Sequence, residues 1–283
     1  MKIIGIGLGL IGGSMLLSLR QTVPDATFLG KDIADEHLTQ AKDLGIIDET
    51  ATDDDLKEAD IVVVSIPVDI AVNEMKRILS RIGPETLVLD TGSTKGNICE
   101  QLTDHPKRDQ FLATHPIAGT EFSGPGAAFK GLFTDKTMII CEIEKTRFKL
   151  QQRAIDLFGQ MQMNIRYMNP KEHDQHIAYV SHLSHISSFM LGKTVIDKEK
   201  DERDIFDLAG SGFASTVRLA KSNPKTWTSI FKDNRVEVKQ ALDHYIKHLQ
   251  SFQQALVQEE YDQLYTEMDN TNRLKDILKG ITL

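Results

Sequence analysis

Cysteine is nearly absent. Among 283 residues only Cys99 and Cys141 occur, too few for a disulfide framework and lacking the CxxC spacing of a thiolate metal or redox site. That usage fits a reducing, cytoplasmic setting. No apolar run reaches the roughly 18 residues expected of a membrane-spanning helix. The apolar N-terminus, MKIIGIGLGLIGGSMLLSLR, is interrupted by glycines and followed by no small-residue cleavage pattern. Positive charge is in deficit, with 33 basic against 41 acidic side chains and a net charge of −8. Nucleic acid and anionic membrane are therefore not expected as partners, since both need a basic footprint. Internal repeats and low-complexity tracts are missing too. With 40% hydrophobic and 26% charged residues, the chain can build a sizeable core as one large or two modest domains.

The order of the elements comes next. Residues 2–6 form a short apolar run followed by a helical pattern over 12–20, and the sequence then alternates. Residues 27–30 read as strand, 36–44 as helix, 60–66 as strand, 68–82 as helix and 87–89 as strand. Further strands are expected at 111–114, 137–142 and 164–168, with a helix over 145–161. Such alternation predicts an α/β, Rossmann-type doubly wound parallel sheet. The unbroken run IVVVSI fits a strand buried on both faces. Beyond residue 170 the strand signals cease, so we expect a first domain over 1–169 and a second, all-helical one over 170–283 that consumes the rest of the chain. The stretch 224–256 opens with Asn223-Pro224, a cap and first-turn pair, and carries apolar residues at helical spacing. It reads as one helix of roughly 30 residues, about 45 Å long, too long for a small domain to cover alone, which suggests a second subunit. The charged run 197–204 reads as a solvated loop or helix end.

Gly7-Leu8-Gly9-Leu10-Ile11-Gly12 fits GxGxxG directly after the first strand and at the start of the first helix. In that context the first glycine permits a tight turn, the second lets backbone approach a pyrophosphate, and the third lets helix and strand pack. Asp32 lies 20 residues after Gly12, at the end of the second strand, where a carboxylate accepts from ribose hydroxyls and repels a 2′-phosphate. NAD is therefore expected over NADP, with the adjacent Lys31 working against that preference. Ser65-Ile66-Pro67 and Thr91-Gly92-Ser93-Thr94-Lys95 end two more strands at the same edge. Each reads either as an ordinary β-to-α turn or as a cofactor contact.

Oxidising a carbon that bears a hydroxyl needs a base for the hydroxyl proton, and histidine is the side chain whose ordinary pKa lies nearest neutrality. Of nine histidines, His115 ends an apolar strand and precedes Pro116-Ile117-Ala118-Gly119-Thr120-Glu121. It is a catalytic candidate or a packing residue at a turn. At about 100° per residue, Ser181, His182, His185 and Ser188 share one side of a helix, opposite Tyr179, Val180, Leu183, Ile186 and Met190. That stripe contacts substrate or lies at the surface. No HExxH pattern or carboxylate partner stands at ligand spacing, so no metal is expected. Arg218, beyond Gly210-Ser211-Gly212-Phe213, either holds a carboxylate with its planar fork or is a surface arginine.

Taken together, GLGLIGGS, Asp90-Thr91-Gly92-Ser93-Thr94-Lys95, the HPIAGTE block at 115–121, Glu172-His173-Asp174, the SHLSH block at 181–185 and the 210–227 segment resemble the prephenate/arogenate dehydrogenase family of tyrosine biosynthesis. The resemblance implies an NAD-binding Rossmann domain followed by a helical domain that binds substrate and forms a homodimer. It implies NAD-dependent oxidative decarboxylation of prephenate to 4-hydroxyphenylpyruvate, or of arogenate to tyrosine. Under it His115 matches the catalytic base and Ser93 a serine between that histidine and the nicotinamide. Arg218 matches the arginine that pairs with a substrate carboxylate, and Ser181 and His185 match polar substrate contacts. Two positions depart from many relatives: Ser184 stands where they carry proline and Ser211 where they carry glycine, so Ser211 adds a hydroxyl beside the expected substrate. The rival readings are another two-domain NAD-dependent hydroxyacid dehydrogenase, which would lead one to expect a lysine near Ser181, and a non-catalytic NAD-binding dimer.

Overall fold

Apolar segments too short to be stable alone become strands by pairing, and here they pair into one sheet. The computed structural model describes residues 1–200 and 204–279. Its strands are β1 (Lys2–Ile6), β2 (Thr27–Lys31), β3 (Glu49–Thr50), β4 (Ile61–Val64), β5 (Leu87–Asp90), β6 (Phe111–Ile117), β7 (Thr137–Cys141) and β8 (Asn164–Met168), in the spatial order β3-β2-β1-β4-β5-β6-β7-β8. Strands β1 to β6 run parallel, the arrangement of a Rossmann-type sheet. β7 runs antiparallel to β6, and β8 follows β7 in parallel. The 118–136 connection contains no crossover helix of the length a parallel return requires, so the chain doubles back.

The strands' alternation builds two core layers. Ile3, Ile61, Val63, Leu87, Leu89 and Leu112 face α1 (Leu10–Thr22) and α5 (Phe148–Gln160). Ile4, Ile6, Val62, Val64, Val88, Phe111 and Ala113 face α3 (Val68–Arg81) and α4 (Gly96–Leu102). Each of these Val, Ile, Leu and Phe side chains contributes about 1.5–3 kcal/mol relative to exposure. α2 (Asp35–Asp43) links β2 to the two-residue edge strand β3. Neither β3 nor α4 has a signal long enough to be read from periodicity.

Helices follow: α6 (Pro170–Ile177), a π-helical turn at Ala178–His182, α7 (Leu183–Glu199), α8 (Ser211–Thr216), α9 (Pro224–Asp233), α10 (Arg235–Val257), α11 (Tyr261–Thr271) and α12 (Leu274–Leu278). The Oδ1 atoms of Asn169 and Asn223 each accept a backbone N–H at 2.9 Å and cap α6 and α9. The single long helix expected over 224–256 is broken. It stops at Asn234, whose buried Nδ2 donates to the carbonyl of Asp174 at 2.8 Å. That tertiary hydrogen bond holds Asn234 off helical geometry, at φ −99° and ψ 31°. Of the charged run 197–204, residues 201–203 lie outside the described residues.

The chain divides into two compact units, Met1–Arg235 and Val236–Leu283. The second carries exposed Leu249, Phe252, Leu256, Tyr261, Tyr265 and Ile277 along its helices. Among the described residues no helix is long and apolar enough to cross a membrane.

Candidate active site

The glycine loop between β1 and α1 meets the steric demands of its motif. Gly7 has φ +86°, and a Cβ there would lie 2.2 Å from the Ser65 carbonyl oxygen. A Cβ on Gly12 would lie 2.0 Å from the Gly7 oxygen, whereas one on Gly9 would meet nothing within 4 Å. The first and third glycines thus serve packing, and the second faces open space at the start of α1, where a dinucleotide's pyrophosphate needs close backbone approach. Leu10 is buried and Ile11 half-buried, so Leu10 has only its backbone to offer a ligand.

Asp32 follows β2 directly and clamps this loop. Its Oδ2 accepts the Leu8 N–H at 2.8 Å, and its Oδ1 accepts the Ala34 N–H at 3.0 Å and lies 3.1 Å from His37 Nδ1. Lys31 turns away to Asp53 at 2.6 Å. Together with Arg77, Lys31 holds the Asp53 carboxyl down to about 2. Ser65, Ile66 and Pro67 line the neighbouring strand end, where Ser65 accepts from the Thr91 hydroxyl at 2.8 Å.

The loop after β5 is held from inside. Asp90 and Lys95, both buried, form an ion pair, and Asp90 also accepts from the backbone N–H of Gly92 at 3.0 Å and of Thr114 at 2.9 Å. Ser93 sits half-buried on this pinned turn. The β5–β6 register pairs Leu89 with Leu112, which sets His115 past the carboxyl end of β5. His115 is 8% exposed. Its Nδ1 lies 2.8 Å from Nε2 of His173, whose own Nδ1 lies 2.8 Å from Asp174 Oδ1. Burial, reinforced by His173, Lys95 and His182, holds the His115 pKa well below the ordinary histidine value. The imidazole is therefore neutral at neutral pH, as a base must be.

The polar stripe on the helix after α6 faces inward, not to solvent. His182 is fully buried and Ser188 is 1% exposed, while Val180 on the apolar side is 73% exposed. Ser188 is structural: its hydroxyl donates to the Thr216 carbonyl at 3.0 Å and accepts the Ala220 N–H at 3.1 Å. His182 packs edge-on against Trp227 and Phe231, and burial pushes its pKa down to about 4. His185 stacks on Trp227 with ring centroids 3.4 Å apart, and its Nδ1 donates to the Ser181 carbonyl at 3.0 Å. A carbonyl only accepts, so Nε2 of neutral His185 carries the lone pair. Arg218 Nη1 donates to Glu121 Oε2 at 3.0 Å, which ties the 210–221 segment to the loop after His115. Ser211 is exposed at the first turn of α8.

Comparison with known proteins decides the family. The model for the prephenate dehydrogenase nucleotide-binding domain matches residues 15–167. That for the prephenate dehydrogenase dimerization domain matches 169–270. The chain belongs to the prephenate dehydrogenase family. It is 30% identical to prephenate dehydrogenase of Bacillus subtilis over 92% of this chain and 71% of that one. It is 28% identical to cyclohexadienyl dehydrogenase of Zymomonas mobilis over 97% and 94%. The structure of prephenate dehydrogenase from A. aeolicus, in complex with hydroxyphenyl propionate and NAD+, superposes with a TM-score of 0.90 at 30% identity, covering 99% of this chain and 98% of that one.

As a member of the prephenate dehydrogenase family, the chain is a dehydrogenase with a Rossmann-type fold. Several residues that shape its site carry no role in a sequence reading. His173 and Asp174 stand in a motif but show their purpose only once α6 is laid against β6. Glu121, at the end of the HPIAGTE block, and Asp233, which accepts from Thr94 at 2.5 Å and from Asn97 at 2.7 Å, are fixed by contacts distant in sequence. Asp90 had a visible signal: an acidic residue closing an otherwise apolar strand.

Proposed function

We propose that this dehydrogenase carries out the oxidative decarboxylation of prephenate to 4-hydroxyphenylpyruvate with NAD, using His115 as the base. The observation that carries the reading is a neutral, buried imidazole just past the carboxyl ends of β4 and β5, the edge that also bears the glycine loop. The domain division we propose is 1–169 for nucleotide and 170–283 for substrate binding and dimerisation.

The residues present fit NAD. Gly7, Gly9 and Gly12 with the N–H groups at the start of α1 would hold the pyrophosphate, and Asp32 the adenosine ribose. Ser65, Ile66, Pro67 and Ser93 would border the nicotinamide half. When bound, NAD supplies the hydride acceptor. His115 accepts the ring hydroxyl proton as carbonyl character grows at that carbon. A base of low pKa suffices, because the hydroxyl becomes more acidic as hydride leaves. Arg218 pairs with a substrate carboxylate, while Ser181 and His185 offer polar contacts and Ser211 borders the pocket. Loss of the ring carboxylate as carbon dioxide restores aromaticity, so positioning and one base are enough. The relatives from B. subtilis and A. aeolicus support prephenate as substrate. The solved arogenate dehydrogenase of Synechocystis, which superposes with a TM-score of 0.78 at 25% identity, keeps arogenate as a second reading.

We also propose that the protein works as a homodimer through its C-terminal helices. Support comes from the outward apolar side chains Val180, Met190, Leu191 and Ile196 and from a 480 Å³ apolar pocket lined by Ile186, Phe189, Met190, Trp227 and Phe231. A sedimentation coefficient of a monomer at micromolar concentration would contradict this. Cys99 and Cys141, both buried and unbridged, suit a cytoplasmic protein. Following NADH absorbance with prephenate, arogenate and a panel of 2- and 3-hydroxyacids tests the activity. Turnover of prephenate is expected, and turnover confined to the hydroxyacids would refute it.

A further inference from the structure

His173 and Asp174 touch neither the glycine loop nor any residue assigned to substrate, yet both are buried and together form a chain that ends on His115. Asp174 anchors it. Its Oδ1 accepts the Lys95 N–H and its Oδ2 the Gly96 N–H, both at 2.8 Å, so the carboxylate caps the start of α4. Both oxygens are committed as acceptors, and the 2.8 Å contact with His173 Nδ1 therefore requires a proton on that nitrogen. A neutral His173 with its proton on Nδ1 has a bare lone pair on Nε2. That lone pair faces His115 Nδ1 at 2.8 Å. Two lone pairs cannot face each other at that distance, so with an uncharged His173 ring the proton between the rings belongs to His115 Nδ1.

We propose that His173 and Asp174 are positioning residues that hold His115 in its Nδ1–H tautomer, leaving Nε2 as the lone-pair nitrogen that accepts the substrate proton. The proposal rests on the reading of His115 as base. No proton travels along the chain; each stays on its nitrogen. Because Asp174 also takes the amides of Lys95 and Gly96, the same carboxylate fixes the turn that carries Ser93 relative to the base. The opposite arrangement, with the inter-ring proton on His173 Nε2, would place the His115 proton on its own Nε2 and abolish the base.

The direct test is ¹⁵N NMR of the histidine side chains in the wild-type protein at pH 7.5, with His115→Asn used to assign the ring. A protonated Nδ1 and an unprotonated Nε2 on His115 are expected. The reverse pattern overturns the proposal whether or not His115 proves to be the base. The kinetic test compares His173→Gln with His173→Leu. A glutamine can accept from His115 Nδ1–H through Oε1 and donate to Asp174 through Nε2. The expected result is a kcat within about fivefold of wild type for His173→Gln and a loss of ten- to a hundredfold for His173→Leu, with KM for prephenate and NAD unchanged in both. Equal kcat values in the two variants, or a loss appearing only in KM, would overturn the positioning role. Failure of the underlying reading is distinguishable, because His115→Asn would then turn over normally while the tautomer measurement still stands.

Discussion

Burying a histidine as its neutral form makes the fold sensitive to acid, and His182 allows the effect to be calculated. Its ring is fully buried, and its pKa falls from 6.5 to about 4, chiefly through burial. With the folded value depressed, the unfolded chain binds more protons between these two values. Stability is complete above the unfolded pKa, declines as pH drops below about 6.5 and levels off below about 4. Integrated between pH 7 and pH 5, this one group removes about 2 kcal/mol of stability. His115 acts in the same direction, as do carboxylates that must be protonated at lower pH. The comparison that isolates His182 is therefore with His182→Leu, which keeps every other group. Urea unfolding followed by far-UV circular dichroism at pH 7 and pH 5, at one protein concentration, should show the wild type losing about 2 kcal/mol more than the variant. Equal losses in the two proteins would mean that His182 is protonated at no cost in the fold and would refute the reasoning.

Other outcomes follow from the same geometry. Arg218→Ala removes a charge-assisted fork worth about 1.5–3 kcal/mol, so KM for prephenate should rise by about ten- to a hundredfold with little change in KM for NAD; an unchanged substrate KM would place the anion elsewhere. Asp32→Asn withdraws the negative charge expected at the ribose, and steady-state kinetics should show a KM for NAD raised about tenfold and a smaller preference over NADP. Lys95→Met leaves the Asp90 carboxylate buried without its cation, a change that costs about 3–5 kcal/mol. The urea midpoint should fall accordingly and recover in large part in the double variant with Asp90→Asn.

The central strands were legible because they are buried on both faces. Runs such as Ile61 to Val64 have nowhere else to go, and the glycine loop follows the first of them at the spacing its ligand demands. Strand direction is different. Nothing in the periodicity of residues 137–141 says that β7 runs antiparallel, because alternation is the same in either sense; only the lack of a crossover helix in 118–136 hints at it. The break at Asn234 was hidden for a related reason. Asparagine is tolerated in helices, and what stops this one is a hydrogen bond to Asp174, 60 residues away. The one-sided stripe through Ser181 and His185 was visible, but not that it faces inward. Apolar residues such as Val180 and Met190 point out instead, as expected of helices that a second subunit covers. His115 was singled out by an expected place at a strand end, whereas β6 runs on to Ile117 and pairs His115 with Ile139. Its partners were not, because the pairing of His115 with His173 depends on how α6 packs beside α4.

The central claim is that the neutral imidazole of His115 takes the substrate's hydroxyl proton. It is tested most directly by the rate of NADH formation from prephenate in wild type and in His115→Asn, each with NAD affinity measured separately. The account predicts a fall in kcat on the order of a hundredfold or more with NAD binding nearly unchanged. A variant that turns prephenate over at close to the wild-type rate would contradict it.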